Sequence, residues 1–524
     1  MHDIVIKNGT VIDGTGKAKY KANIAVKDSK IAKVGKLSMA RGEIEIDAGG
    51  KIVSPGFIDV HNHSDSYWRI FLNPELPSLA HQGVTTIIGG NCGASIAPLT
   101  DGRIIESIQK WADIKQINVD WLSMAEFREA MAKRKFALNF ATLVGHGTLR
   151  RGLIHDEVRR LDRKEMELMK NLLEKSLEAG ALGLSTGLAY SHEKIAAWDE
   201  IVELAEIVKA YGRVYSTHLR NESRNIIPAL EEAVSLAEET GVSLEISHLK
   251  VMGEENWRLM DEVLEKIKKA ADAGLDVNFD VYPYTQTGSV LYIFLPDWAA
   301  EGGKHLLLKR LKDKQIRKKI IEEMKQDAEY DYGKTVVAIS PLDKSLTRRK
   351  IDDIAESQGV SAEEAIINLL SASEGRVITL VDCLSEDNVR KAIRHPLSII
   401  ATDGSGYDIG HKISGELVHP RCFGTFPRVL GKYVRKEKLL SLEEAVRKMT
   451  GDPARKFGLK NRGRISNGCA ADLVIFDPKK ISDRATAEDP YQYSQGIEGV
   501  IVNGKLVMAN GKLTGELPGR FLSG

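Results

Sequence analysis

Gly56-Phe57-Ile58-Asp59-Val60-His61-Asn62-His63 and Leu397-Ser398-Ile399-Ile400-Ala401-Thr402-Asp403-Gly404 are two apolar runs that end in polar residues, far apart in the chain. Each run has the composition of a buried strand. Alternate side chains of a strand point the same way, so His61 and His63 are expected to face one point. Two imidazoles at a strand end make half of a metal site, and Asp403 at another strand end can supply a proton-transfer group. The pattern indicates a metal-dependent hydrolase.

Short β-branched runs alternate with amphipathic helices through the middle of the chain. This alternation is typical of βαβ units and a parallel sheet. The candidate strands are residues 56–61, 84–89, 137–144, 181–185, 214–218, 243–248, 276–281 and 397–402. Eight such strands with intervening helices predict an α/β fold of the (β/α)8, TIM-like barrel type.

The two chain ends and one long insertion complete the predicted organisation. Residues 1–54 alternate apolar and polar positions between turn residues, and residues 462–512 resume that style. We expect both ends to build one small β-sandwich domain, although two unrelated β-additions remain an alternative. The barrel would comprise 55–288 and 381–461. Residues 289–380, between strands seven and eight, would form a helical insertion or lid over the barrel mouth.

Composition excludes several classes of function. The 524 residues carry a formal net charge of +1, so nothing in the overall charge favours nucleic acid or a membrane surface as a partner. No apolar run reaches the length of about 18 residues that a transmembrane helix needs. The four cysteines are too few for a disulfide framework in a chain of this length. We expect a cytoplasmic protein that acts on a small-molecule substrate.

Metal-ligating residue types recur at the ends of the candidate strands. His61 and His63 end the first, Cys92 follows the second, and His218 and His248 end the fifth and sixth. The carboxyl ends of barrel strands meet at one face, which is where such barrels carry their active sites. Neutral imidazole and thiolate suit zinc, and a catalytic zinc activates a bound water to attack a carbonyl. Asp403 would take the proton of that water and later pass it to the leaving group.

The motif that contains His61 and His63 resembles the first-strand motif of the amidohydrolase superfamily, and the chain as a whole resembles the N-acyl-D-amino-acid deacylases, or D-aminoacylases. The resemblance extends over most of the barrel. The segments that carry it are Gly83-Val84-Thr85-Thr86, Gly90-Asn91-Cys92-Gly93, Gly145-His146-Gly147-Thr148-Leu149-Arg150, Gly180-Ala181-Leu182-Gly183-Leu184-Ser185-Thr186-Gly187-Leu188, Asp280-Val281-Tyr282-Pro283-Tyr284 and His419-Pro420-Arg421-Cys422-Phe423-Gly424-Thr425-Phe426-Pro427-Arg428.

The resemblance implies a role for each candidate site residue. Cys92, His218 and His248 would hold one tight Zn2+, and His61 and His63 would form a second, weaker metal position. Asp403 would be the catalytic acid and base. Lys250, Tyr282 and Arg421 would bind the substrate carboxylate, and Tyr190 would face the reacting carbonyl.

Two further histidines lie near these segments. His146 sits in a glycine-flanked turn, where a structural hydrogen bond is the better interpretation than a metal ligand. His192 follows Tyr190, where the sequence departs from the pattern of the resembled family, and its role stays open.

The leading hypothesis is a zinc-dependent amidohydrolase that releases a free D-amino acid from its N-acyl derivative. The D configuration follows from the resemblance alone. A cyclic-amide hydrolase (hydantoinase-like or dihydroorotase-like) or a dipeptidase on the same scaffold is the second hypothesis. A non-catalytic binding protein is the third, and the complete set of metal and acid residues argues against it.

Overall fold

The computed structural model describes residues 1–37, 39–100, 117–155, 157–301, 303–326 and 331–524. The expected small β-domain and insertion include residues 38, 302 and 327–330, which lie outside the described residues. No helix in the described part of the chain has the length and apolar character needed to cross a membrane.

Eight parallel strands among the described residues form the predicted barrel, each joined to the next in chain order. They are Phe57–Asp59, Val84–Gly89, Asn139–Thr142 with its continuation Val144–Gly145, Gly183–Gly187, Val214–His218, Ser243–Ile246, Val277–Val281 and Ser398–Ile400. A parallel bridge between Asn62 and Gly404 joins the last strand to the first and closes the barrel. The strands are almost entirely buried, because helices cover their outer face and the barrel interior covers their inner face. This burial explains why the strands lack the apolar–polar alternation of a half-exposed sheet.

The helices around the barrel begin and end where local sequence dictates. Ser123 and Asp162 each form a capping box at the start of a helix, which satisfies backbone N–H groups that have no partner inside the helix. Gly241 ends another helix in the left-handed conformation. The longer helices of the barrel and its C-terminal extension are Met124–Lys133, His146–Ile154, Arg163–Glu178, Trp198–Ala210, Ile226–Thr240, Met260–Asp272, Glu386–Arg394, Arg421–Arg428, Val429–Lys436 and Leu442–Met449.

Both ends of the chain meet in a β-sandwich. Ile52–Pro55 pairs antiparallel with Leu473–Phe476, which places the two ends in one sheet. That sheet runs in the order Lys512–Leu513, Lys505–Ala509, Ile497–Val502, Leu473–Phe476, Ile52–Pro55, Thr10–Val11, Tyr20–Lys21. A second sheet runs in the order Lys30–Gly35, Asn23–Lys27, His2–Lys7, Gly42–Asp47. Apolar side chains from both, such as Ile6, Val26 and Leu473, share one core.

The insertion between strands seven and eight is mainly helical, as the sequence predicts, and it also carries a small antiparallel sheet. It contains the antiparallel strands Gln286–Val290, Thr335–Ile339 and Ile378–Asp382, with the last of these in the centre. Its helices include Gly303–Lys312, Lys314–Gln326, Ile351–Gln358 and Ala362–Ala372. The strands escaped notice because they are short, and their partners lie some forty to ninety residues apart in sequence. The insertion has an apolar core of its own.

Candidate metal centre

Three of the predicted ligands converge on Cys92 at the carboxyl end of the barrel. The Cys92 Sγ atom lies 3.3 Å from His61 Nε2 and 3.4 Å from His248 Nε2. The ring centroids of His218 and His248 are 4.4 Å apart. All four side chains are buried. The barrel thus brings together one thiol and three imidazoles that come from four different strand ends.

His218 has a ring nitrogen that no group among the described residues satisfies. Its Nδ1 atom is buried without a hydrogen-bond partner, whereas its Nε2 atom lies 3.3 Å from Glu222 Oε2. A buried polar atom without a partner is costly and usually marks a missing water or ion. With the thiol of Cys92 and the imidazole of His248 beside it, the donor set is one that zinc favours. Cys92, His218 and His248 therefore fit a zinc ion.

The electrostatic environment of Cys92 favours the thiolate. Burial on its own raises the pKa of this thiol, but the imidazoles of His61 and His248 hold the pKa well below its usual value. The thiolate is the form of cysteine that binds metals.

A second group of possible ligands shares His61 with the first. Ligand atoms of His61, His63 and Asp403 all lie within 4.8 Å of one another. His63 Nε2 is 3.1 Å from Asp403 Oδ1, and His61 Nε2 is 3.5 Å from the same oxygen. Imidazole and carboxylate also suit divalent metals, so these residues fit a second metal position beside the first.

Three of the site residues have a strained backbone. Cys92, His248 and Asp403 adopt left-handed conformations with φ of 52°, 36° and 46°, although none of them is glycine. Such a conformation costs about 1–3 kcal/mol and persists only where surrounding contacts hold it. Beside Cys92, the hydroxyl of Ser185 accepts a hydrogen bond from Gly93 N and donates one to the carbonyl of Gly90. Ser185 lies in the middle of the fourth strand, Gly183–Gly187, so that strand supports the loop that carries Cys92.

Asp403 forms a buried ion pair with Arg421. Arg421 Nη1 lies 2.8 Å from Asp403 Oδ2, and both side chains line the cavity above the metal ligands. Burial on its own raises the pKa of Asp403, but Arg421 and then His61 and His248 hold the pKa well below its usual value. Asp403 is therefore ionised and able to accept a proton.

The predicted carboxylate-binding residues differ in their access to the cavity. Lys250 and Arg421 line it, whereas Tyr282 does not and lies against the guanidinium of Arg421, with the carbon of that group 4.6 Å from the ring centroid. Tyr282 thus stacks under the cation and supports the position of Arg421. Its hydroxyl is buried without a hydrogen-bond partner among the described residues. Tyr284, which follows on the same strand end, points instead to Arg428.

The remaining wall of the cavity is largely apolar. Tyr190 lies beside His218, with their ring centroids 5.1 Å apart, and is part of the lining. The insertion covers the opposite side with Val290, Ile293, Phe294, Ala338, Ile339, Ile378, Leu380 and Val381. The insertion therefore closes over the barrel mouth and forms much of the surface that a substrate would meet.

Sequence reasoning missed two carboxylates that touch the site. Asp280 Oδ2 lies 3.0 Å from His61 Nδ1, and Glu222 contacts both His218 and His248. Asp280 stands two residues before Tyr282, at the start of the quoted seventh-strand motif, and Glu222 stands four residues after His218. A search for acidic partners of the metal-ligating histidines at these strand ends would have drawn attention to both.

His146 and His192, the two further histidines of the sequence analysis, are not among the converging metal ligands. His146 Nδ1 lies 2.9 Å from Glu193 Oε2, and His146 Nε2 lies 2.8 Å from Glu200 Oε1, so both ring nitrogens serve structural hydrogen bonds as expected. His192 is buried, and its Nδ1 atom has no hydrogen-bond partner among the described residues.

Comparison with known proteins finds relatives that match nearly the whole chain. Residues 45–508 match the Amidohydrolase family. The chain is 34% identical to the D-aminoacylase of Alcaligenes xylosoxydans xylosoxydans over 99% of its own length and 97% of that protein. It is also 34% identical to the N-acyl-D-glutamate deacylase of the same organism, over 99% and 96% of the two chains. A crystal structure of N-acyl-D-glutamate deacylase from Bordetella bronchiseptica, with zinc and a phosphonate inhibitor that mimics the tetrahedral intermediate, superposes with a TM-score of 0.83 over all of both chains at 31% identity.

Proposed function

The chain belongs to the amidohydrolase family, and we propose that it uses zinc to hydrolyse N-acyl-D-amino acids to a carboxylate and a free D-amino acid. The observation that carries this proposal is the convergence of Cys92, His218, His248 and His61 beside the ionised Asp403. The D configuration is supported by the relatives, both of which are named for D substrates.

In the proposed reaction, Cys92, His218 and His248 hold the tight zinc, and His61 and His63 with Asp403 offer the second, weaker position. Zinc bound there supplies an activated water and a Lewis acid for the amide carbonyl. Asp403 accepts a proton at its carboxylate and returns it to the leaving amine nitrogen, because an amine leaves only once it is protonated. Tyr190, from its place beside His218, faces the reacting carbonyl.

The two cations of the cavity, Lys250 and Arg421, would bind the α-carboxylate of the substrate. Lys250 and Arg421 both line the cavity, and arginine binds carboxylates through two parallel N–H groups. Arg421 Nε has no hydrogen-bond partner among the described residues, so it is available to a substrate. A carboxylate site favours an open-chain acyl amino acid over a hydantoin-like ring, which carries no free carboxylate.

We propose further that the enzyme prefers apolar side chains on the amino acid. Each cation in the described cavity lining already faces an acid, with Lys250 Nζ 2.6 Å from Glu222 and Arg421 2.8 Å from Asp403. The wall that the insertion supplies holds no cation at all among its described lining residues. An acidic side chain would bury a second carboxylate without a counter-ion, which costs several kcal/mol.

The test of the function is release of free amine from N-acetyl-D-leucine by metal-stripped protein before and after zinc is restored. We expect turnover to return with zinc. No release at any zinc concentration would contradict the proposed reaction.

The side-chain preference needs its own comparison. N-acetyl-D-glutamine and N-acetyl-D-glutamate have nearly the same shape and differ in charge, so their kcat/KM ratio isolates the buried charge. We expect N-acetyl-D-leucine to be the best of the three and N-acetyl-D-glutamate the worst. Equal or faster cleavage of the glutamate derivative would contradict the preference and leave the reaction itself intact.

A cytoplasmic location is also part of the proposal. It is supported by the four cysteines, none of which forms a disulfide.

A further inference from the structure

Glu222 is a buried carboxylate in contact with three groups of the site. Its Oε1 atom lies 2.6 Å from Lys250 Nζ and 3.1 Å from His248 Nδ1, and its Oε2 atom lies 3.3 Å from His218 Nε2. It stands in the loop after the strand Val214–His218, four residues beyond the histidine. One side chain thus touches two proposed zinc ligands and one proposed substrate-binding cation.

The contact of Glu222 with His218 selects which nitrogen of that histidine is free to bind metal. An ionised carboxylate only accepts hydrogen bonds, and a neutral imidazole carries one N–H. A proton on His218 Nε2 therefore faces Glu222, which leaves the lone pair on His218 Nδ1, an atom that has no partner among the described residues. His248 Nδ1 accepts from Lys250 Nζ at 2.9 Å, because an ammonium only donates, and Glu222 holds that ammonium at 2.6 Å.

We propose that Glu222 is a positioning residue that sets the tautomer of His218, one of the zinc-binding histidines, and holds Lys250 for the substrate carboxylate. The inference rests on the proposed function. It couples two parts of the site that the sequence keeps separate, because a single carboxylate supports both the metal and the carboxylate-binding cation. Partners of this kind, one layer behind the ligands, commonly contribute a factor of about 10–100 to metal affinity.

Glu222 could instead be a metal ligand itself, since its oxygens lie within 4.8 Å of ligand atoms of His218 and His248. The ammonium of Lys250 argues against this role. It lies 2.6 Å from Glu222 and 2.9 Å from His248 Nδ1, and so occupies the position that a cation would take between them. Lys250 also donates to the backbone carbonyl of His248, which fixes the ammonium there.

The experiment compares Glu222→Gln, Lys250→Met and the parent by zinc affinity, measured through competition with a chelator, and by KM for N-acetyl-D-leucine at saturating zinc. A glutamine can accept at its oxygen but presents N–H groups where the second carboxylate oxygen stood. We expect Glu222→Gln to weaken zinc about 10–100-fold and to raise KM. Lys250→Met should raise KM while zinc affinity stays within about threefold, because Glu222 keeps its contact with His218 and remains 3.1 Å from His248 Nδ1.

Glu232→Gln is the matched control. Glu232 pairs with Arg220 at 2.7 Å, two residues from His218, yet contacts neither histidine. Its removal should leave zinc affinity unchanged, which separates orientation of the ligands from loss of any nearby acid. If Glu222→Gln does not fold, Glu222→Asp replaces it, because the shorter carboxylate cannot reach both histidines and should also weaken zinc.

Zinc affinity equal to that of the parent in a folded Glu222 variant would overturn the inference. So would equal weakening of zinc by Lys250→Met, since that would mean that Lys250 and not Glu222 supports the zinc ligands. A parent protein that neither binds zinc nor cleaves N-acetyl-D-leucine would instead contradict the proposed function, so the two failures are distinguishable.

Discussion

Replacement of Arg421 by methionine tests how the site recognises a carboxylate. Arg421 is buried, lies 2.8 Å from Asp403 and stacks on Tyr282. Methionine keeps much of the length and apolar character of the side chain but offers no N–H donor. A hydrogen bond to a charged group contributes about 1.5–3 kcal/mol, and each 1.4 kcal/mol is a factor of ten in binding. We therefore expect KM for N-acetyl-D-leucine to rise about 10–150-fold.

The turnover number should fall much less than KM rises. Asp403 keeps its contact with His63 at 3.1 Å in the variant and remains next to the donor set. Steady-state kinetics with N-acetyl-D-leucine at saturating zinc separate the two parameters. A variant with unchanged KM would remove Arg421 from substrate binding.

The chain provides a close control for this substitution. Arg428 belongs to the same helix, lies 4.6 Å from the ring of Tyr284 and pairs with Asp483 at 2.8 Å, so its environment repeats that of Arg421 outside the cavity. Arg428→Met should leave KM unchanged. A rise in KM in both variants would show that loss of the packing, and not loss of a substrate contact, explains the effect.

Three further substitutions have defined outcomes. Asp403→Asn should retain bound zinc, as measured by elemental analysis. Its kcat should fall about 10²–10⁴-fold, because general acid–base catalysis contributes that much. Retained turnover would refute the role of Asp403. Cys92→Ala should lose the tightly bound zinc on dialysis, and full zinc retention would exclude the thiolate as a ligand. His146→Gln leaves Glu193 and Glu200 without their shared buried partner and should lower the free energy of unfolding in urea by about 3–5 kcal/mol. Burial alone lowers the pKa of His146, but the carboxylates of Glu193 and Glu200 raise this pKa above 6.5 in the folded protein. The decrease in the free energy of unfolding should therefore be largest below pH 6.5, and it should shrink as the pH rises through the pKa of His146 in the folded protein.

The barrel could be predicted from sequence because its strands are buried on both faces. Runs such as Val84–Gly89 are continuous and apolar, and each ends at a polar residue where the strand leaves the core. Cys92, His218 and His248 could be predicted to meet because the carboxyl ends of barrel strands share one face. Their convergence therefore follows from strand order alone, without any knowledge of distances.

Other features depend on contacts that no local pattern reveals. The insertion strand Ile378–Asp382 pairs with Gln286–Val290, and some ninety residues separate the two in sequence. Neither segment contains a local pattern that would identify the other as its partner. Glu222 reads in sequence as an ordinary loop acid, and only its burial against Lys250 distinguishes it. The position of Tyr282 beneath Arg421 depends on the side chain of a distant helix, which alternation along a strand cannot predict.

Hydrolysis of paired N-acetyl-D-leucine and N-acetyl-L-leucine by the zinc-loaded protein tests most directly whether this site is a deacylase for D-amino acids. We predict amine release from the D enantiomer, at least about a hundredfold faster in kcat/KM than from the L enantiomer, a difference of about 2.8 kcal/mol in transition-state binding. Cleavage of the L enantiomer at an equal or greater rate, or of neither with zinc bound, would contradict the proposal.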